Sequence, residues 1–262
     1  MLEGLTTIRW ADLEHAYGCA DDVPDLIVAL RSPEPKAREQ ARWHLYGNIF
    51  HQGTRYEASA YAVPFLLELL ADPDTQDRPD LLELLTSLAI GYDECWLPEG
   101  FPAADYRRRA AGGELLLRGA PTPTATADDD DDDDDGNRDD YWASLDPDDQ
   151  NRMFAHIELA VYDAVRAGVP LLLTLLTADD PWQRVAAGYA LGWFGDDAAV
   201  SVPALTVAAA GPEPAVAAVA LVALGLLGTD DAAALLAIEA ALGDASDVVR
   251  WGAAVALARL RG

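Results

Sequence analysis

The chain has 262 residues, of which 51% are apolar, and a formal net charge of −27 at pH 7. This acidity argues against direct nucleic-acid binding, because Lys and Arg side chains are needed to neutralise phosphates. It favours a basic protein as partner, since opposite charges steer association. No apolar run reaches the roughly 18 residues of a membrane-spanning helix. With two cysteines and no secretion signal, we expect a cytoplasmic protein.

The N-terminal residues 6–18 predict one amphipathic helix. Trp10, Leu13 and Tyr17 are spaced as residues on one helix face, and Gly18 would end the helix. We expect residues 1–20 to form a capping helix for the repeats that follow.

Four segments share a Val-Pro opening followed by apolar residues: 22–30 (DVPDLIVAL), 62–70 (AVPFLLELL), 168–176 (GVPLLLTLL) and 201–209 (SVPALTVAA). Proline is tolerated in the first turn of a helix, where its missing N–H would have no intrahelical partner. Each segment therefore predicts the start of a short buried helix.

A second recurring position, the marker, lies fifteen residues after each Val-Pro valine. It is followed three positions later by Ala or Leu and seven positions later by Leu. The marker positions after these four valines are Arg38, Arg78, Arg184 and Ala217. A fifth copy, without a Val-Pro opening, has Arg250, and the last three markers are 33 residues apart. Such a period predicts paired helices that stack on their neighbours, because one helical hairpin cannot bury its own apolar face.

The segments 177–195 (TADDPWQRVAAGYALGWFG) and 242–260 (LGDASDVVRWGAAVALARL) resemble the second helices of the HEAT-repeat family, as found in bacterial HEAT-repeat proteins. The resemblance covers residues 20–91 and 146–262. It implies an all-α fold, an α-solenoid of about five to six HEAT-like hairpins in one continuous domain. Repeats would occupy 21–91 and 146–262, on either side of an insertion at 92–145. HEAT repeats serve scaffolds, transport receptors, lyases and a di-iron hydroxylase, so the resemblance predicts fold rather than function.

The insertion has three parts. Residues 91–119 are turn-rich and aromatic, with a short helix expected near 103–118. The run 121–140 contains Asp128 to Asp135 without interruption, and Arg138 is its one cation. This run predicts a disordered acidic loop, since it repels itself and has no apolar area to bury. A helix is then predicted from about Pro147 to Ala167.

The first candidate site lies in residues 46–60, which are longer than a repeat turn needs. Around Gly53 they hold hydrogen-bonding side chains: His51, Gln52, Arg55, Tyr56 and Glu57. One interpretation is a ligand pocket or a general acid–base pair built on His51, Tyr56 and Glu57. The other is an ordered loop whose side chains satisfy their own backbone.

The second candidate site is a stripe of apolar residues on the second helices, one, five and nine positions after each marker. Its aromatic members are Trp43, Tyr189, Trp193 and Trp251. If second helices line the concave side of a solenoid, an exposed stripe would mark a partner site. Alternatively these residues belong to the core, or the insertion folds over them.

No catalytic motif occurs in the chain. It lacks a G-x-S-x-G elbow, a Gly-rich phosphate loop, zinc-ligand spacing and the paired His-Glu dipeptides of the hydroxylases. We therefore predict no metal and no cofactor. The favoured hypothesis is a non-enzymatic adaptor that binds a basic protein or peptide, for example as an immunity or antitoxin-like protein. The alternatives are a small-molecule binder or lyase-like enzyme centred on 46–60, and a simple scaffold. The oligomeric state is left open.

Overall fold

The computed structural model describes residues 2–97, 99–123 and 138–261. These residues form fourteen α-helices, and their strands are confined to two short antiparallel hairpins. The prediction of an all-α helical-repeat chain is confirmed. Among the described residues, none of the helices combines the length and the apolar character that a membrane span requires.

The helices are α1 (Val23–Ala29), α2 (Pro35–Asn48), α3 (Glu57–Ala71), α4 (Arg78–Ile90), α5 (Ala103–Arg109), α6 (Gly113–Gly119), α7 (Arg138–Ser144), α8 (Pro147–Arg166), α9 (Val169–Leu175), α10 (Pro181–Leu191), α11 (Ala198–Ala209), α12 (Pro214–Leu226), α13 (Ala232–Ala241) and α14 (Asp247–Arg261). The strands are β1 (Glu14–His15), β2 (Gly18–Cys19), β3 (Phe50–His51) and β4 (Thr54–Arg55), and short 3-10 helices occur at Leu5–Thr7, Trp10–Asp12, Asp93–Cys95 and Gly195–Asp197. Strand β1 pairs with β2, and β3 with β4.

The chain divides into two compact units. Unit 1 comprises Met1–Gln76, Ser87–Gly91 and Ala103–Val165. Unit 2 comprises Asp77–Thr86, Tyr92–Pro102 and Arg166–Gly262. Each unit is described by itself below.

The prediction of one capping helix across residues 6–18 is wrong. Two short 3-10 helices and the β1–β2 hairpin stand in its place. The Trp10 indole N–H donates to the Leu5 carbonyl oxygen over 2.8 Å, which holds the chain in a tighter turn than an α-helix. Gly18 has φ 103°, a left-handed conformation that suits a hairpin turn and that no helix interior contains.

The Val-Pro segments open a helix in two of the four cases. Val23 begins α1 and Val169 begins α9, as predicted. Helices α3 and α11 begin earlier, so that Pro64 and Pro203 lie inside them. An interior proline removes one backbone hydrogen bond. In α3 this loss is outweighed by burial of the apolar residues on both sides of Pro64, such as Ala62 and Leu66.

Three of the four arginines at the marker positions, Arg38, Arg184 and Arg250, tie the turns between paired helices. In each of the three, Nη1 donates to the carbonyl oxygens six and five residues earlier. The distances are 3.0 and 3.3 Å for Arg38, 2.5 and 3.2 Å for Arg184, and 2.8 and 3.1 Å for Arg250. Carbonyls near a helix end need such partners, because the following residues no longer supply N–H groups. The repeating arginine is thus a feature of the turn.

In unit 2 the pairs α9/α10, α11/α12 and α13/α14 stack in sequence, with α12 in contact with both α10 and α14. Small residues permit close approach at equivalent positions 33 residues apart. A Cβ at Gly192 would lie 2.9 Å from the Cα of Ala223, and one at Gly225 would lie 2.8 Å from the Cα of Ala256. The core of this unit is therefore a helical-repeat stack whose spacing depends on glycine and alanine.

We expect Gly225→Ala to lower the free energy of unfolding by about 1–3 kcal/mol, because backbone must shift to admit the new methyl group. This cost exceeds the gain of about 1 kcal/mol that alanine normally brings to a helix. Urea unfolding measures the change. Gly47→Ala in α2 is the matched control, since nothing lies within 4 Å of its added Cβ. Equal effects of the two substitutions would contradict the close packing of α12 on α14.

The insertion differs from its prediction in two places. Two helices, α5 and α6, replace the single helix expected near 103–118, because Gly112 breaks the run with φ 89°. Helix α7 begins at Arg138, so the prediction of disorder is wrong for residues 138–140. The rest of the acidic loop, 124–137, lies outside the described residues. Helix α8 agrees with the helix predicted from Pro147.

Candidate functional site

Residues 46–60 form the end of α2, the β3–β4 hairpin and the start of α3 in unit 1. Gln52 and Gly53 occupy the hairpin turn with φ 51° and 86°. Positive φ at both central residues is the requirement of a type I′ turn, which matches the twist of paired strands. The Gln52 side chain is exposed. Its contribution is therefore the turn conformation of its backbone.

Arg55 is buried and links the hairpin to the helices around it. Its Nη1 donates to the Gly53 carbonyl oxygen over 2.7 Å, and its Nη2 lies 3.1 Å from Oε1 of Glu158 on α8. Burial raises the pKa of the neighbouring Tyr106 hydroxyl, and the charge of Glu158 raises it further. A guanidinium held in this way is a structural group rather than one aimed at a ligand.

Glu57 also belongs to a network of ion pairs. Its Oε2 accepts from Nη2 of Arg138 over 2.8 Å, and Nε of the same arginine lies 3.4 Å from Oε2 of Glu14. Arg138 is buried, so one guanidinium joins α7 to β1 and α3. This role of Arg138 was not predicted from the sequence. Its position as the one cation of the acidic run was the available signal.

His51 and Glu57 do not form the acid–base pair that the sequence suggested. Within the described residues the Nδ1 of His51 lies 3.3 Å from the Tyr17 hydroxyl, and their rings meet edge to face at 5.4 Å. The Tyr56 backbone N–H donates to Oγ of Ser59 over 2.8 Å at the start of α3. Burial, followed by the charge of Glu14, raises the pKa of the Tyr56 hydroxyl. The side chains of His51 and Glu57 thus have different partners, Tyr17 and Arg138.

A second histidine, which the sequence analysis left without a role, closes the N-terminal hairpin onto unit 1. The Tyr17 backbone N–H donates to Nδ1 of His15 over 3.1 Å, so the ring hydrogen resides on Nε2. That Nε2 donates to Oδ1 of Asp22 over 3.0 Å, and Oδ2 of Asp22 accepts from the Asn48 amide over 2.6 Å. The cluster fixes β1 to the start of α1, where Asp22 lies, and to the end of α2, where Asn48 lies.

The aromatic stripe is covered over most of its length in unit 2. Trp193 is only 2% exposed, so its prediction as a surface contact is wrong. The segment Tyr92–Pro102 lies across the stripe. The Tyr189 hydroxyl donates to Oδ2 of Asp93, and Nη2 of Arg259 donates to the Glu99 carbonyl oxygen. Part of the insertion therefore occupies the surface that the sequence offered to a partner.

Helix α14 retains an exposed apolar face. Val248 is 51% exposed, Trp251 61% and Val255 36%. Their spacing of three and four residues places them on one side of the helix. In unit 1, Trp43 on α2 is 76% exposed without comparable apolar neighbours on its own helix. Of the aromatic residues predicted to contact a partner, Trp251 thus lies among other exposed apolar side chains, as expected of a binding surface.

The covered stripe has a consequence at high pH. Burial raises the pKa of the Tyr189 hydroxyl, and the hydrogen bond to Asp93 raises it further. The ordinary tyrosine pKa is about 10. Below that pH the interaction contributes its full stability, and above it this contribution falls, because the hydroxyl ionises only in the unfolded chain.

We therefore expect the difference in unfolding free energy between wild type and Tyr189→Phe to shrink as the pH rises above about 10. Urea unfolding across this range measures it, and absorbance at 295 nm follows tyrosine ionisation. Tyr56→Phe serves as the comparison, because its hydroxyl pKa is also raised but without a carboxylate hydrogen bond. A difference for Tyr189→Phe that stays constant with pH would contradict the burial of this hydroxyl and its contact with Asp93.

No group of three or more His, Cys, Asp or Glu side chains within the described ranges is arranged to hold a metal ion. No protein-family model matches the chain, and no curated protein sequence matches it. The solved structures with some likeness include an engineered protein, structural genomics target OR366, with 19% identity, 92% of this chain and 99% of that chain covered, and a TM-score of 0.41. A designed armadillo repeat protein in complex with the peptide (KR)4 has 14% identity, coverage of 92% and 100%, and a TM-score of 0.38. Human deoxyhypusine hydroxylase has 18% identity, coverage of 91% and 96%, and a TM-score of 0.33. All three TM-scores are below 0.5, so the description of the fold rests on the helices of this chain alone.

Proposed function

We propose that this chain is a non-enzymatic HEAT-type repeat protein that binds another protein through the exposed face of α14. The observation that carries the proposal is the exposure of Val248, Trp251 and Val255 on one side of that helix. Tryptophan is among the residue types most enriched at the energetic centres of protein interfaces, and the two valines extend the apolar surface around it. Isolated apolar residues on a surface would carry no such meaning.

The geometry of the stack supports a helix as the contacting element of the partner. On α12, Ala218 and Gly225 lie on the side that α14 covers: a Cβ at Gly252 would approach the Ala218 backbone, and one at Gly225 the Ala256 backbone. The positions 33 residues later are Trp251 and Ala258, and both are exposed. A partner helix could therefore pack on α14 as α14 packs on α12.

The charge of the chain supports a basic partner. The formal net charge is −27, and Asp244 and Asp247 lie exposed at the start of α14. Complementary charge raises association rates and disfavours acidic competitors. We infer that the partner presents a helix with an apolar stripe flanked by Lys or Arg, and that binding takes place in the cytoplasm, where free thiols such as Cys19 and Cys95 persist. An immunity or antitoxin-like role towards a basic protein is one instance of this proposal.

Affinity capture from the native host tests the proposal. We expect Trp251→Ala to reduce the recovery of a specific basic partner by at least about 10-fold, since interface tryptophans commonly contribute 2 kcal/mol or more. Trp182→Ala is the matched control, because Trp182 is a similarly exposed tryptophan on α10. Circular dichroism should show both variants folded. Equal recovery with wild type and Trp251→Ala would overturn the assignment of the α14 face.

A further inference from the structure

A cavity of about 330 Å³ lies in unit 1 between α3, α6 and α8. This volume is at the lower end of the range for small-molecule sites, about 300–1,000 Å³. It is separate from the α14 face, which belongs to the other unit. None of the contacts described above fills it.

The walls of the cavity are held in place before any ligand arrives. At the start of α6, a Cβ on Gly113 would collide with the Arg152 carbonyl and lie 2.6 Å from Cβ of His156, so glycine permits α6 to approach α8. In the middle of α6, the Tyr141 hydroxyl donates to the Leu116 carbonyl oxygen over 2.7 Å. A wall fixed at two points reduces the ordering cost that a ligand must overcome.

The lining combines an apolar floor with an acidic rim. Ala60, Leu117 and Ile157 supply aliphatic surface, and the ring of Tyr61 stands at one side. Within the described residues neither the Tyr61 hydroxyl nor the His156 ring forms a hydrogen bond, so both are available to a bound molecule.

The charges of the rim favour a cation. The lining contains two carboxylates, those of Glu57 and Glu114, and one cation, Arg118. This arginine already pairs with Glu114 at 2.5 Å. Arg138, the partner of Glu57, also compensates Glu14, so one guanidinium serves two carboxylates. Glu14, Glu57 and Glu114 thus outnumber Arg118 and Arg138 by three to two, so an ammonium group would meet a net negative charge here, whereas a carboxylate would be repelled. The open Tyr61 ring adds a cation–π contact of the kind that amine sites use.

We propose that this cavity binds a small aryl-alkyl amine, with its apolar body on Leu117 and Ile157 and its ammonium group between Glu57 and Glu114. The ligand class follows from the size of the cavity, its apolar floor and the sign of its rim. This site is independent of the protein-binding face on α14.

Phenethylamine is a suitable probe, and 2-phenylethanol and phenylacetate are its neutral and acidic counterparts. Titration of the ¹⁵N-labelled full chain, followed by amide shifts of α6 and α8, measures binding. A probe of this size should bind with a Kd on the order of 0.1–1 mM. We expect the alcohol to bind at least about 5-fold more weakly and the acid not to saturate. Equal binding of all three probes would overturn the charge argument.

Two substitutions on the rim should have opposite effects. Glu114→Gln should weaken phenethylamine binding by about 3- to 5-fold, and Arg118→Gln should strengthen it by a similar factor, as expected for partly exposed charges. Both side chains are exposed, so the fold should tolerate either change. The reverse pattern would mean that the site takes an anion and would refute the proposal.

Ala160→Phe separates the cavity from the general acidity of the chain, because it fills the space without changing any charge. We expect this variant to lose the saturable shifts of α6 and α8 while retaining partner capture through α14. Propylamine, which has an ammonium group without an aryl body, should bind the wild type no better than it binds Ala160→Phe. If Ala160→Phe binds phenethylamine as the wild type does, the amine is only attracted to the acidic surface and the cavity is not its site.

Discussion

Replacing Trp193 by Ala is expected to lower the free energy of unfolding by about 3–5 kcal/mol, the usual cost of removing a buried aromatic side chain. The indole is 2% exposed and packs edge to face against Tyr189 with ring centroids 5.7 Å apart. Its removal would leave a cavity beside the Tyr189 ring. Urea unfolding followed by circular dichroism measures the loss.

Trp251→Ala provides the internal comparison, because the sequence placed both tryptophans in the same stripe. With an exposed fraction of 61% for Trp251, we expect the stability to change by less than about 1 kcal/mol. We therefore expect Trp193→Ala to lose stability and Trp251→Ala to lose partner binding. A stability loss below about 1 kcal/mol for Trp193→Ala would contradict its burial.

Replacing Arg138 by Leu should cost about 2–4 kcal/mol. Removing one member of a buried ion pair leaves its partners uncompensated, and the usual penalty is about 3–5 kcal/mol. We expect somewhat less here, because the side chains of Glu14 and Glu57 are 16% and 18% exposed and regain some hydration. Chemical unfolding measures this cost.

The control for Arg138→Leu is Arg118→Leu, which removes a pair of exposed side chains with Glu114. Such pairs contribute roughly 0–1 kcal/mol, so the control should remain close to wild type. Similar stabilities for the two variants would show that Arg138 does not join α7 to β1 and α3. A selective loss in Arg138→Leu would establish that an arginine of the acidic run is part of the core of unit 1.

Several details of the fold could be predicted because they depend on local sequence. Three of the marker arginines, Arg38, Arg184 and Arg250, bind the turn carbonyls five and six residues earlier, so this contact depends only on the local sequence of the turn. The small residues that separate neighbouring helices, such as Gly192 and Gly225, also follow the 33-residue period. The N-terminal segment was harder, because Trp10 and Leu13 have helical spacing and are buried, but they belong to a short 3-10 helix and its end rather than to an α-helix.

The contacts of the candidate sites could not be predicted from the sequence, because they join remote parts of the chain. Arg55 and Glu57 have the composition of a polar site, yet each meets its main ionic partner, Glu158 or Arg138, at least 80 positions away in the chain. The cavity in unit 1 was not predicted at all, since α3, α6 and α8 are distant in sequence. The need for glycine at position 113 follows from the close approach of His156, which the sequence does not show.

The sequence by itself determined that the chain is a stack of paired helices with a strongly acidic surface, because periodicity and charge are properties of neighbouring or evenly spaced residues. Only the tertiary structure decided which aromatic residues are available to a partner. Trp193 and Trp251 occupy similar helix faces, but the insertion crosses one of them and leaves the other exposed. Burial depends on contacts between remote segments, and the local pattern of a helix carries no information about what covers it.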